Sequence, residues 1–455
     1  MLHSCCAFSF QIMDHIATTI NDPVHKTIEI HPLCLKIIDT PEFQRLRDIK
    51  QCGVSHLVYP SAVHSRFEHS IGVYYLASQM VDSLMKKYGD PGMNKESTIK
   101  ISPEDRLCVM IAALCHDLGH GPFSHLWETF IYKQTKWKWR HEDMSTKILK
   151  HLIEKNNLKG EFSNYNLDDI HINFIIDIIA GNYEHHKDKR FLFEIVANKE
   201  TNIDVDRWDY MLRDAYFFGI ICPVEYRRIL SYMKIRKTVD GNRIEFRDKV
   251  YNDLLEIFVN RIKLHRVCYQ HRVSKTIEQM LIDALIEADN FFFTDRQLNL
   301  SSAHEDIDTF LTLSDGLIYN LLHWKNEKLS RARDILLKIL TRKFYKLIFQ
   351  TKLKQKIEID GIKEKLESAL RIKDSKVELR IIQFELSMGT GGNDPFKNVL
   401  FYKKDGSEMK ASLPEECKTM ELNFCIFSVN DIDVKLVEDV KTLLPQICPE
   451  FNKLN

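Results

Sequence analysis

The chain has 455 residues, enough for one large core with a smaller lobe, and its 44% hydrophobic and 28% charged content is that of a folded protein and excludes wholesale disorder. Sixty-four Lys and Arg balance 64 Asp and Glu, so a global basic footprint for nucleic acid is absent. The 11 Cys are odd in number, scattered and without a Cys-x-x-Cys pair, which points to reduced, mostly buried thiols in the cytosol or nucleus.

Residues 1–14 form an apolar tail with neither the basic start nor the cleavage site of a signal peptide. No apolar run is long enough to span a bilayer, and no membrane association is expected. The first helical pattern covers Ser70 to Lys87. A second runs from Ile99 to Leu118, with Ser102 as cap, Pro103 in the first turn, Asp105 in the third position after the cap, and Gly119 to Pro122 as the stop. Helical periodicity returns over His141 to Lys155 and Ile203 to Phe218. Met233 to Arg247 reads as a hairpin turning at Asp240-Gly241. Asp253 to Asp289 and Ser330 to Phe349 are again helical. Val377 to Ser387, Val399 to Tyr402 and Met420 to Phe427 read as strands. The expected fold class is mostly α with a small β-hairpin, plus a C-terminal α+β lobe. The expected units are a core over 15–349 and a lobe over 350–455.

Residues 111–125 read IAALCHDLGHGPFSH. His116 and Asp117 follow an apolar helical run. Neighbours on a helix point about 100° apart, so both reach one ion only where the helix faces a cavity. A buried His-Asp pair is costly alone, and a divalent cation removes that cost. His120 lies one turn further on and His125 follows the Gly121-Pro122 turn. His69 at a helix start, and Asp206 within Asp204-Val205-Asp206-Arg207-Trp208-Asp209-Tyr210, supply two further ligands. Two His and two Asp suit Fe, Mn, Zn or Mg and leave positions open for water and a phosphate oxygen. Taken singly, these residues read as helix caps and solvated carboxylates; their joint presence carries the metal reading.

His69, His116-Asp117 and Asp206 resemble the H…HD…D signature of the HD phosphohydrolase superfamily. Residues 39–47 (DTPEFQRLR), 66–70 (RFEHS), 115–125, 204–210, 264–266 (LHR) and 269–271 (YQH) are similar to the vertebrate SAM-and-HD-domain deoxynucleoside triphosphate triphosphohydrolases. The similarity runs from about Ile20 to Phe349. The SAM domain has no match here, so the chain reads as a SAM-less paralogue, an isoform or a fragment. The resemblance implies an HD-domain helical core, and hydrolysis of a dNTP to deoxynucleoside and intact triphosphate. It implies His69, His116, Asp117 and Asp206 as metal ligands. His125 would be the general acid for O5′, with His120 and His141 close by. Arg66, Arg207 and Arg261 would contact phosphates. Gln51, Asp214 and Tyr210 would take the 3′-hydroxyl, and Tyr269 would stack on the sugar; Cys52, His265 and Gln270 complete the implied substrate site.

The resemblance also implies activation by GTP or dNTP, carried with Mg, that joins subunits into a tetramer. One activator site maps to Asp39, Gln44 and Arg47. A second maps to Asn21, Val58, Arg228, Arg247 and Lys249. Three departures bear on this. Thr18-Thr19 replaces a Lys-Val pair, Cys52 replaces a bulkier Leu, and Arg207 replaces a Lys. Residues 388–455 match poorly. The family is largely nuclear, while no nuclear-localisation run is evident, so nucleus or cytosol is expected. An alternative reading rests on the basic aromatic stretch Tyr132 to Arg140, as a single-stranded nucleic-acid-binding or scaffold surface on a catalytically weak protein. A drifted HD phosphohydrolase acting on other nucleotides is the other alternative.

Overall fold

The structure, a computed structural model, describes residues 18–88, 99–293, 298–371, 377–431 and 434–453. The expected N-terminal tail, residues 1–14, lies outside these. The fold is mostly α, with three small sheets and a C-terminal α+β lobe. No described helix is long and apolar enough to cross a membrane.

Four helices build the frame of the site: Arg66–Tyr88, Pro103–Cys115, His141–Lys155 and Val205–Phe218. Pro103–Cys115 starts on a capping box, with Asp105 N–H donating to Ser102 Oγ at 3.0 Å and Ser102 N–H to Asp105 Oδ2 at 3.1 Å. The helix stops at Cys115 rather than running to Leu118, and residues 116–119 form a turn. Gly119 explains the docking of that turn: a Cβ there would lie 2.1 Å from His141 O and 2.3 Å from Ser145 N. Ser145 Oγ donates to His116 O at 2.6 Å and accepts from Gly119 N–H at 2.8 Å.

The expected long helix over 253–289 is broken. Tyr251–Leu264 passes into a π-helical turn, His265–Tyr269, and Arg272–Ala288 starts anew with His271 as cap. The expected helix over 330–349 ends at Leu340, and Lys346–Leu353 is a strand, so the expected boundary at 349/350 falls inside a strand. That strand pairs antiparallel with Met420–Ser428, which also pairs with Leu379–Ser387. The hairpin is Met233–Thr238 with Gly241–Arg247, its turn at Val239-Asp240, one residue earlier than expected. Leu400–Tyr402 joins it in parallel and Glu408–Met409 follows. A hairpin of Thr18–Asp22 and Lys26–Ile30 was not expected.

The main hydrophobic core runs through the helical body and takes in Met388, Phe396, Val399, Phe401, Cys425 and Phe427 from the tail. A second cluster, with Leu366, Phe424, Ile426 and Leu444, lies between the other face of the three-stranded sheet and helices Asp360–Arg371 and Val434–Ile447.

Candidate metal centre and nucleotide cavity

His69 sits in the first turn of Arg66–Tyr88, His116 and Asp117 at the end of Pro103–Cys115, and Asp206 in the first turn of Val205–Phe218, which Asp204 caps. His116 keeps helical dihedrals (φ −60°, ψ −30°) at the helix end, and its imidazole and the Asp117 carboxylate reach one point from adjacent positions. The ligating atoms of His69, His116 and Asp117 lie within 4.8 Å of one another. Asp206 Oδ1 lies 3.0 Å from His69 Nε2 and 3.6 Å from His116 Nε2. The four sequence-expected ligands therefore converge.

Supporting contacts orient them. His116 Nδ1–H donates to Ala113 O at 2.7 Å, leaving Nε2 buried and without a hydrogen-bond partner among the described residues. An orphaned imidazole nitrogen facing three more donors fits a divalent cation. His69 Nδ1 meets Asp209 Oδ2 at 2.7 Å. Asp209 is clamped by Arg213 at 2.9 and 3.0 Å and by His25 at 2.7 Å, and Arg213 also reaches Asp22 at 2.7 Å. Gly72 gives this network its room, since a Cβ there would fall 1.9 Å from Asp209 Oδ1. Burial pulls the His69 imidazole down, but hydrogen bonds to Asp206 and Asp209, with the charges of Asp209 and Asp117, outweigh it and carry its pKa to about 10. Burial opposes ionisation of Asp117, yet Arg66 Nη1 at 2.5 Å and the nearby His116 and His120 hold it well below the carboxylate range.

Beside the quartet, His120, His125, Glu128 and His141 form a second group within 4.8 Å. His120 stacks on His141 with ring centroids 3.8 Å apart, and its Nε2 lies 3.3 Å from Asp117 Oδ1. Burial, then the Arg66 and His141 charges, hold His120 far below its ordinary value, so it stays neutral. Burial pulls His141 down, but its hydrogen bond to Glu128 and the Glu142 and Glu128 charges raise it. His125, whose side chain is 69% exposed, opens Helix His125–Thr135 with Nδ1 3.7 Å from Glu128 Oε1. Its position is set by a turn in which Phe123 and Ser124 both have φ near +60°, a strain of about 1–3 kcal/mol per residue. Ser124 Oγ accepts from Arg66 Nε at 2.9 Å and donates to Lys50 O at 2.7 Å.

A cavity of about 760 Å³ joins these groups. His116, Asp117, Asp206, His120, His125 and His141 line it, as do all ten sequence-expected substrate residues: Gln51, Cys52, Arg66, Arg207, Tyr210, Asp214, Arg261, His265, Tyr269 and Gln270. Several polar atoms on its walls are buried without a partner among the described residues, including Arg207 Nη1, Arg261 Nε, Gln51 Oε1 and Gln270 Oε1. Arg66 is already engaged, donating to Asp117, Ser124 and Gln51 O. Asp214 meets His64 Nε2 at 2.7 Å and accepts from the Tyr269 hydroxyl. Ile381, Ile382, Gln383 and Phe384 complete the wall from the C-terminal lobe, and Arg261 donates to Ser387 O.

The sequence-expected activator residues lie outside this cavity. Arg47 donates to Gln44 Oε1 at 2.7 Å and packs over Phe67, and Asp39 is exposed. Arg228 donates to Lys249 O at 3.0 Å, Arg247 pairs with Asp248, Asn21 is in the first strand, and Val58 packs against the core. The basic stretch 132–140 is not a continuous exposed face. Residues up to Thr135 are helical, Trp139 is buried against Phe310, Lys133 enters the cavity, and Trp137 is exposed. Sequence reasoning did not assign roles to Glu128, Asp209, His25 or His64. Glu128 was findable, one turn after His125; the other three act through contacts far apart in sequence.

The HD domain family matches residues 66–214. The chain is similar to the deoxynucleoside triphosphate triphosphohydrolase SAMHD1 of Gallus gallus, with 39% identity over 419 residues, covering 86% of this chain and 67% of that protein. The Homo sapiens protein of the same name is 36% identical over 421 residues, covering 86% and 66%. The Dictyostelium discoideum homolog is 34% identical over 403 residues, covering 87% and 73%. With its ligand quartet in place and this extent of similarity, the chain belongs to the HD-domain family that contains the SAMHD1 deoxynucleoside triphosphate triphosphohydrolases.

Proposed function

We propose that this chain hydrolyses deoxynucleoside triphosphates to the deoxynucleoside and inorganic triphosphate, with a divalent cation held by His69, His116, Asp117 and Asp206. The observation that carries the reading is the convergence, on one nucleotide-sized cavity, of that quartet, a proton-holding histidine group and guanidinium nitrogens without partners. A cation held by these four residues would supply Lewis acidity toward the phosphate and an acidified water. Arg207 and Arg261 offer free N–H groups to phosphate oxygens as charge builds there. His125, open to the cavity and beside Glu128, is placed to give its proton to O5′ as the nucleoside leaves. Neutral His120 sits between Asp117 and His141 and holds that array together. Asp214, fixed by His64 and Tyr269, accepts a 3′-hydroxyl, while Tyr269 and Gln51 bound the sugar.

We further propose that GTP or dNTP, with Mg, binds at Asp39, Gln44 and Arg47 and at Asn21, Val58, Arg228, Arg247 and Lys249, and drives assembly to a tetramer. The position of these residues outside the cavity supports a role separate from chemistry. The test is incubation with each dNTP in Mn, Fe, Zn or Mg, with and without GTP, and detection of inorganic triphosphate. Triphosphate release that Asp206→Asn abolishes is expected. Absence of triphosphate from every dNTP in every metal overturns the reading. GTP-independent rates with unchanged mass in light scattering overturn the activator part alone.

A further inference from the structure

On the cavity wall, apart from the quartet's own ligands, three chemically different donors come together. Cys52 Sγ lies 3.7 Å from His64 Nε2, which lies 2.7 Å from Asp214 Oδ1, and donor atoms of the three residues fall within 4.8 Å of one another. His64 and Asp214 are buried, whereas Cys52 is half-buried, and Cys52 and Asp214 line the cavity. A Cys-His-Asp set invites a nucleophilic relay, but the geometry excludes it. Cys52 and Asp214 address the same ring nitrogen, so the imidazole cannot pass a proton from one to the other across its two nitrogens.

We propose that Cys52 Sγ, His64 Nε2 and a carboxylate oxygen of Asp214 form a second cation site, suited to zinc, with its open coordination position toward the cavity. One thiolate, one imidazole and one carboxylate with a free fourth position is a three-ligand zinc set. Zn–S of about 2.3 Å and Zn–N of about 2.0–2.1 Å give a tetrahedral sulfur–nitrogen edge of about 3.6 Å. The observed separation is 3.7 Å. The His64–Asp214 contact must open by about 0.6 Å to reach a tetrahedral edge. The Tyr269 hydroxyl secures Oδ2 of Asp214 and leaves Oδ1 toward His64. His64 is held flat against Phe217, with ring centroids 4.5 Å apart, so its edge stays aimed at the other two donors. Cation binding releases the Cys52 thiol proton to solvent and leaves the imidazole neutral, its proton on Nδ1, which has no partner among the described residues.

The site has a consequence that rests on the proposed function. A cation there engages Asp214, the group assigned to the 3′-hydroxyl, so zinc and dNTP compete.

Cobalt(II), added to the metal-free full chain, tests the site without reference to activity. The HD quartet contains no sulfur, so thiolate-to-cobalt charge-transfer absorption reports Cys52, while ligand-field absorption reports cobalt at either site. Wild type is expected to show both. Cys52→Ser is expected to lose the thiolate band and keep ligand-field absorption, which also shows that the chain folds. His64→Gln is expected to weaken cobalt binding, read by the thiolate band, at least tenfold. No thiolate band in wild type, or a band that survives in Cys52→Ser, overturns the proposal. With the site established, zinc is expected to raise the apparent KM for dNTP in wild type and not in Cys52→Ser. Equal zinc effects on both proteins overturn the competition while leaving the cobalt result standing.

Discussion

Asp209 never faces the nucleotide cavity, yet it fixes the orientation of His69 and is itself fixed by Arg213 and His25. Carboxylates that hold a ligating imidazole contribute about 10–100-fold to metal affinity. Asp209→Asn is therefore expected to weaken cation binding by that factor, measured by competition against a chelator, with the quartet otherwise intact. Unchanged affinity would remove Asp209 from the account. Cys52 offers a second residue-scale case. It presents a short side chain beside Gln51 where the related enzymes carry a bulkier Leu, so rejection of a 2′-hydroxyl should be slack. Turnover of dGTP and GTP by wild type and Cys52→Leu measures this, with sharper discrimination expected in the variant; equal discrimination by both would sink it. At this scale the convergence of the candidate quartet was legible because His116-Asp117 are adjacent and lie in a distinctive string. Their supports were not, because His25 and Asp209 are 184 residues apart and no local pattern joins them.

The turn over residues 116–124 is the element on which the site depends, and side chains from other elements hold it. Ser145 binds its start, Arg45 donates to His120 O at 2.9 Å, and Asp315 accepts from Phe123 N–H at 2.6 Å and from Lys50 N–H at 2.9 Å. Gly119→Ala would force the turn off helix His141–Lys155, since both close atoms are backbone. A loss of about 2–3 kcal/mol is expected, as for overpacking, together with lost cation binding, read by thermal unfolding and metal content. Asp315 adds a pH signature. Burial raises its carboxyl from 3.8 to about 6, against the two backbone N–H groups that lower it. The folded state thus holds this proton more tightly than the unfolded state. Its contribution is full below about pH 4 and is lost as pH rises through 6, a span of about 3 kcal/mol. Asn at 315 has no proton to gain or lose, so the stability of wild type relative to Asp315→Asn is expected to be greater at pH 5 than at pH 7. A difference independent of pH would refute the assignment. Helix His141–Lys155 and the capping box of Ser102 were legible to the residue because their signals are local. The π-helical turn at His265–Tyr269 was not, because no Gly or Pro marks it, and Lys346–Leu353 has an apolar spacing that suits helix and strand alike.

At the scale of the whole chain, the question is whether the tail is a separable lobe or part of the enzyme body. The strand Leu400–Tyr402 extends the hairpin of the helical core, and Ser387 O binds Arg261 on the cavity wall. Phe396 is buried, stacks on Tyr251 with ring centroids 4.7 Å apart, and meets Phe258 edge-on at 5.5 Å. These contacts tie the tail to the same hydrophobic core that carries the candidate quartet. Truncating such a side chain costs about 3–5 kcal/mol. If core and tail fold as one unit, Phe396→Ala lowers a single calorimetric transition, and cation binding fails at the same temperature as the tail. If they fold separately, the variant shows an early transition of the tail while the metal-bound core melts as in wild type. The shared core argues for the first outcome. The second would make the tail a detachable lobe and leave the cavity wall at Ile381–Phe384 dependent on its docking.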